Sequence, residues 1–270
     1  MSSPTYGRFH LAEAPSVLRT LHVHDGVSPL KEVDHEPKVA VLDQSDLLAQ
    51  GIRCSTFIPG AQDADALGSC TANATVSALS NLLSPADFSA FIKANSYVDV
   101  VSAEKAAISF YHACTDQTGK PEEEWPPTDC GSTGAYVVQQ LVHMGLAKGA
   151  LVASDATSIV SLLQQGGVIV GQPFFNKAEE PDAQGFIDGD GSPSAIETLL
   201  ASGVAGGHET HISAIEKLVL LPTGQVDPFK TVLRERNSWS AGWGDHGSYR
   251  CHLSLHVALA GSSDFRLIQA

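Results

Sequence analysis

Cations are scarce in this chain. Lys and Arg number 16 against 30 Asp and Glu, a formal net charge of -14. A nucleic-acid or anionic-membrane surface needs clustered Lys and Arg, so neither partner is expected. Long apolar runs are also missing: nothing approaches the roughly 20 residues that would span a bilayer. The first ten residues, Met1 to His10, have no basic segment followed by an apolar one, so no secretory signal is read there. The five cysteines, Cys54, Cys70, Cys114, Cys130 and Cys251, include no C-x-x-C pair, which excludes a zinc ribbon or thioredoxin-type motif. An odd count with no signal points to a reducing, cytoplasmic setting. Asp188-Gly-Asp-Gly191 lacks the ligand ladder and terminal Glu of an EF-hand, so it reads as a solvated loop. No metal or cofactor is expected.

What is present is ordinary for a folded chain: 43% hydrophobic and 17% charged residues over 270 positions, enough for one large domain or two lobes. Residues 1–45 read as an arm packed on a domain of residues 46–270, with a pro-segment as the alternative. Apolar spacing of 4, 3 and 4 from Ala72 through Val76, Leu79 and Leu83 predicts a helix, N-capped by Ser69 and stopped at Ser84-Pro85. Further helices are predicted over 102–113, 134–144 and 154–165. Val168 to Phe175 reads as a buried strand, 176–195 as a loop, and 211–221, 229–236 and 247–253 as strands. Helices in the first half and strands in the second give an α+β class: a helical lobe at about 60–165 and a β-rich lobe at about 166–270, meeting at a cleft.

Three clusters could carry chemistry. In Leu67-Gly-Ser-Cys-Thr-Ala-Asn-Ala74, Cys70 stands at a helix start, where the dipole favours a reactive thiolate; a buried structural cysteine is the alternative. In Gly206-Gly-His-Glu-Thr-His211, two histidines three apart fall one residue short of the H-E-x-x-H metal pattern. On a strand they point to opposite faces, which argues against shared metal ligation. In Asn237-Ser-Trp-Ser-Ala-Gly-Trp-Gly-Asp-His-Gly-Ser-Tyr249, Asn237 could orient a histidine and Trp239 could shield that bond. A structural turn would account for the glycines but not for the whole string.

Together these strings resemble the papain-like cysteine peptidases, whose pattern is a Gln, then G-S-C at a helix start, then His, then N-S-W-G-x-x-W-G-x-x-G-Y. The resemblance implies the two-lobed papain-like fold with the active site in its cleft. It also implies Cys70 as nucleophile, His208 as base, Asn237 as the residue orienting it, and Gln62 in the oxyanion hole. His208 lies 138 residues after Cys70, within the roughly 130–150 of this class. Cys-Thr-Ala-Asn-Ala is closer to the microbial branch than to plant or lysosomal members. His211 is the other choice of base. The chain departs from the pattern in having Ala64 six residues before the cysteine and Gln62 eight before. It also has Ser240 for a glycine, Leu67 for a disulfide cysteine, and Gly-Ser-Tyr for Gly-Tyr. The implied activity is hydrolysis of a peptide or protein substrate through an acyl-enzyme. The alternatives are a ligase or transferase on the same triad and a non-catalytic binding module.

Overall fold

The structure, a computed structural model, describes residues 18–20, 29–92 and 99–270. Most of the expected 1–45 arm, residues 1–17 and 21–28, lies outside the described residues, as does 93–98. In chain order the elements are β1 (Leu18–Thr20), β2 (Val33–Asp34), α1 (Cys70–Leu82), α2 (Pro85–Ile92), α3 (Val100–Asp116), α4 (Gly134–His143), β3 (Gly149–Ala153), α5 (Ala156–Leu163), β4 (Val168–Phe175), α6 (Pro193–Ala201), β5 (Val204–Lys217), β6 (Val232–Arg236), β7 (Ser248–His252), α7 (Leu253–Leu259) and β8 (Asp264–Gln269). The strands form one sheet in the order β1-β3-β8-β4-β5-β6-β7, with β2 added beside β5. Every pairing is antiparallel except β1 with β3. Among the described residues no helix is long and apolar enough to cross a membrane.

Two hydrophobic cores lie on either side of this sheet's middle. Leu47, Leu79, Phe88, Ile108, Tyr111 and Leu141 belong to the helical one. Ile159, Leu163, Phe174, Leu233, Tyr249 and Phe265 belong to the one in the β-rich lobe. Strand β4 feeds both: Val168 and Val170 face the second core while Ile169 faces the first. A strand apolar on both faces reads as an uninterrupted hydrophobic run, which is why its bounds match the sequence expectation.

Other expectations need correction. Ser69 occupies the N-cap of α1, but its hydroxyl makes no capping bond and donates instead to Asn73 Oδ1. Pro85 ends α1 and also opens α2, where its missing N–H costs nothing at the first helical turn. The 176–195 loop contains a short 3-10 turn, Asn176–Glu179, and the start of α6. Strand β5 begins at Val204, so His208 is inside the strand and not at its start: Gly206 and Gly207 pair with Phe174 and Pro173. The shorter β3, α7 and β8 lie where no element is predicted from sequence. Helix α5 starts cleanly because Asp155 and Ser158 form a reciprocal capping box.

Helix α1 packs across β5 at the junction of the lobes. The seam leaves no room for a methyl group at Gly167, where an added Cβ would sit 2.0 Å from His211 Nε2. Gly167→Ala is therefore expected to cost about 1–3 kcal/mol by overpacking. Urea denaturation checks this, and an unchanged midpoint would show the seam to be loose.

Candidate active site

Cys70 is the first residue of α1 and is fully buried. The loop before it is pinned from α3 and its following turn. Gly68 N–H donates to both oxygens of Asp129, at 3.1 and 2.8 Å, and Tyr111 Oη donates to Asp129 Oδ1 at 2.7 Å. Tyr111 also accepts from Gly131 N–H. Nothing local in the sequence announces that the Asp129 carboxylate holds the loop before Cys70.

His208 lies in the middle of β5, fully buried, with Trp239 stacked on its ring at 4.8 Å and 27°. Phe174 from β4 meets the ring edge-on at 5.2 Å. Its Nε2 is 2.7 Å from Asn237 Oδ1. The same oxygen accepts from the Ser238 backbone N–H, also at 2.7 Å. A backbone N–H can only donate, so the amide atom between the two groups is the oxygen. Nε2 must then carry a hydrogen, and the ring's proton-accepting nitrogen is Nδ1. Burial lowers the His208 pKa to about 4, against the raising effects of the Asn237 bond and of Glu235, so the ring is neutral near pH 7.

Asn237 follows β6 and is held by its own N–H to Gly247 O at 2.9 Å. Gly247, at φ +83°, is backed by Val41, whose Cγ1 would lie 2.4 Å from an added Cβ. Residues 41–44 form a strap along this segment. Ser240 N–H donates to Leu42 O, Gln44 N–H donates to Ser238 O, and Leu67 N–H donates to Gln44 O. The buried Gln44 side chain completes the tie: its Nε2 donates to Leu67 O at 3.1 Å and its Oε1 accepts from Ser238 Oγ. One residue thus joins the loop before Cys70 to the residue after Asn237. The sequence offers no local pattern that would have found it.

The structure brings His208 and Asn237 together and sets Cys70 on the helix packed over β5. It separates His211, whose Nδ1 hydrogen-bonds Ser77 Oγ at 3.0 Å in the lobe seam. Gln62 is exposed on the loop before α1, unlike the three buried residues. Ser240, in the motif's glycine position, has φ +70°, the left-handed region that disfavours a side chain. Its hydroxyl accepts from Gly242 N–H at 3.2 Å, a partial compensation.

No family model matches this chain, and no curated protein matches it. Solved structures do. Procathepsin B S9 from Trypanosoma congolense is 10% identical with a TM-score of 0.51, over 98% of this chain and 87% of that one. Digestive procathepsin L 3 from the larval midgut of Tenebrio molitor is 11% identical with a TM-score of 0.49, over 96% and 75%. Xylellain, a cysteine protease from Xylella fastidiosa, is 17% identical with a TM-score of 0.44, over 91% and 87%.

Two outcomes follow for stability. Ser240→Gly is expected to raise unfolding free energy by about 0.5–1 kcal/mol by relieving the positive φ, net of the lost hydroxyl bond. Urea titration would show it as a higher midpoint. Burial, with Arg236 and His35 adding to it, lowers His211 to about 3. The unfolded chain takes up that proton first, so the buried ring's contribution is whole above about pH 6.5 and is lost as pH falls toward about 3. The fall in stability from about pH 6.5 to about pH 4 should be shallower in His211→Gln than in the wild type; parallel curves would remove His211 from this account.

Proposed function

We propose that this chain, which has the two-lobed papain-like fold, is a cysteine peptidase with Cys70 as nucleophile, His208 as base and Asn237 as the residue that orients it. The observation that carries the reading is the double acceptance at Asn237 Oδ1, from His208 Nε2–H and Ser238 N–H. It gives a buried, neutral imidazole one fixed tautomer, with Nδ1 as acceptor, on the strand over which the Cys70 helix packs. A ring stacked on Trp239 and anchored at Nε2 by Asn237 suits a group that must receive and return a proton without turning.

In this reading the Cys70 thiol passes its proton to His208 Nδ1 as Sγ attacks the peptide carbonyl carbon. The tetrahedral oxyanion is met by the Cys70 N–H, one of the helix-start donors without an intrahelical acceptor. Gln62, swung in from its exposed loop when substrate binds, is the second donor. The imidazolium then protonates the leaving amine, and the C–N bond breaks to leave a thioester. Neutral His208 next takes a proton from water as hydroxide adds to the thioester; the C–S bond breaks, the thiol departs with that proton, and the carboxylic acid product gives up its own proton to solvent. One missing oxyanion donor costs about 2.7–4 kcal/mol in the transition state, so a substrate that fails to recruit Gln62 is turned over slowly. Because Cys70 and His208 are both buried, substrate entry requires the lobes to part.

A papain-class epoxide inhibitor, read by intact and peptide mass spectrometry, tests the assignment. A single adduct is expected on Cys70. It should disappear in Cys70→Ala and slow by about 10²–10⁴-fold in His208→Ala, while persisting in folded His211→Ala. A folded wild-type chain with no Cys70 adduct near neutral pH would point instead to a non-catalytic binding module on this fold.

A further inference from the structure

Behind the start of α1 runs a line of buried hydrogen bonds that the proposed reaction does not use. Ser69 Oγ donates to Asn73 Oδ1 at 2.8 Å, and Asn73 Nδ2 donates to Glu104 Oε1 at 2.6 Å. Asp43 N–H, from the strap, donates to Glu104 Oε2 at 3.0 Å. Ser69, Asn73 and Glu104 are all buried, and Glu104 completely so. Among the described residues no cation pairs with this carboxyl. The charge that acts on it is Asp43, an acid, and Cys54 is the titratable neighbour that feels it. Lys105, next in sequence on α3, is exposed and acts on Asp99. Burial, with the repulsion from Asp43, pushes the Glu104 pKa up to about 7.

We infer that Glu104 is a positioning residue for Cys70, acting through Asn73 and Ser69, and that a proton on its carboxyl reverses the direction of this hydrogen-bond line. The inference rests on the reading of Cys70 as nucleophile. When Glu104 is ionised, both its oxygens accept, so Asn73 must present its NH2 to Glu104 and its carbonyl to the Ser69 hydroxyl. When Glu104 is protonated, its O–H needs an acceptor, and the Asn73 carbonyl is the group in reach. The amide turns over, its NH2 donates to Ser69 Oγ, and the Ser69 proton points elsewhere. The Asp43 bond to Oε2 is unchanged in both states. Ser69 immediately precedes Cys70, so the reversal reaches the backbone that carries the nucleophile. It also removes a buried negative charge from behind that helix, which favours the thiolate. Glu104→Gln is a stable copy of the protonated state: its NH2 donates to Asn73 Oδ1, and its carbonyl accepts from Asp43.

The test follows the Asn73 side-chain amide by ¹H–¹⁵N NMR from about pH 5 to about pH 9, with its signals assigned through Asn73→Ser. Iodoacetamide capture of Cys70 is followed in parallel by peptide mass spectrometry. In the wild type the amide signals should shift with a midpoint near 7. They should stay at the wild-type acid position throughout in Glu104→Gln, and titrate again in Glu104→Asp. The Cys70 capture profile should lose the same inflection in Glu104→Gln, with capture about threefold faster above pH 7 and below the thiol's own pKa, equivalent to half a pKa unit. Amide signals that do not move in the wild type, or that move identically in Glu104→Gln, overturn the relay. A normal amide transition with superimposable Cys70 profiles overturns the positioning role, leaving Glu104 a structural acid. No Cys70 adduct in any variant, with the amide transition intact, defeats the peptidase reading and the positioning role while leaving the relay standing.

Discussion

The arrangement depends on the packing of α1 across β5. A helix start must lie beside the middle of a strand for a nucleophile on one to meet a base on the other. Here the helix supplies Cys70 at its first position and Ser77 two turns later, while the strand supplies His208 and His211. The second pair, Ser77 with His211, is bonded at 3.0 Å and fully sealed. It fixes helix against strand at a point displaced from Cys70 and His208, so in the proposed reading the two histidines divide the work. His211 locks the seam, and the chemistry proposed above falls to His208. Gly167 belongs to the same constraint, because only a residue without Cβ lets β4 begin against the His211 ring.

A seam between two cores would ordinarily be apolar, yet this one is crossed by buried polar groups. Gln44 bonds Leu67 on the Cys70 side and Ser238 on the His208 and Asn237 side. Glu104 holds α1 through Asn73 and the strap through Asp43. Apolar contacts would hold the lobes together with less regard to register, whereas a buried donor left without its acceptor costs about 1–3 kcal/mol. Polar ties of this kind penalise any sliding of one lobe on the other. That is the property a two-sided site needs, since a displacement of about 1 Å between reacting groups can cost two orders of magnitude in rate.

How much of this was legible in the sequence follows from how local each signal is. Strand β4 was readable to the residue because its apolar run is bounded by Gly166-Gly167 at one end and a turn at the other. The α+β order and the spacing of Cys70, His208 and Asn237 were readable because helix starts, Gly-Gly-His and the Trp-Gly string are each contiguous. The roles of Gln44, Asp129 and Glu104 were not. Gln44 acts on residues 23 and 194 positions away, and Glu104 on one 31 away. A lone Gln in an arm or a lone Glu on a helix is, from sequence, a solvated side chain. Ser69 holds the N-cap position as read, but its hydroxyl does not cap: it is drawn inward by Asn73, and only the fold shows that Asn73 is itself held by Glu104.

The pH behaviour of the buried groups runs in two directions. His208 and His211 are pushed down by burial, so each favours the folded chain above about pH 6.5 and withdraws that support as pH falls. Glu104 is pushed up by the same burial, so the folded chain binds its proton more tightly than the unfolded one. Its effect is the reverse: stability falls as pH rises from the ordinary carboxylate range through about 7. Desolvation thus pushes each of the three groups toward its neutral form. In the proposed reaction, charge appears on His208 when the thiol proton crosses to Nδ1. A junction that disfavours charge, with an amide-fixed tautomer able to accept a proton, suits the resting state of the proposed peptidase, in which substrate entry parts the lobes.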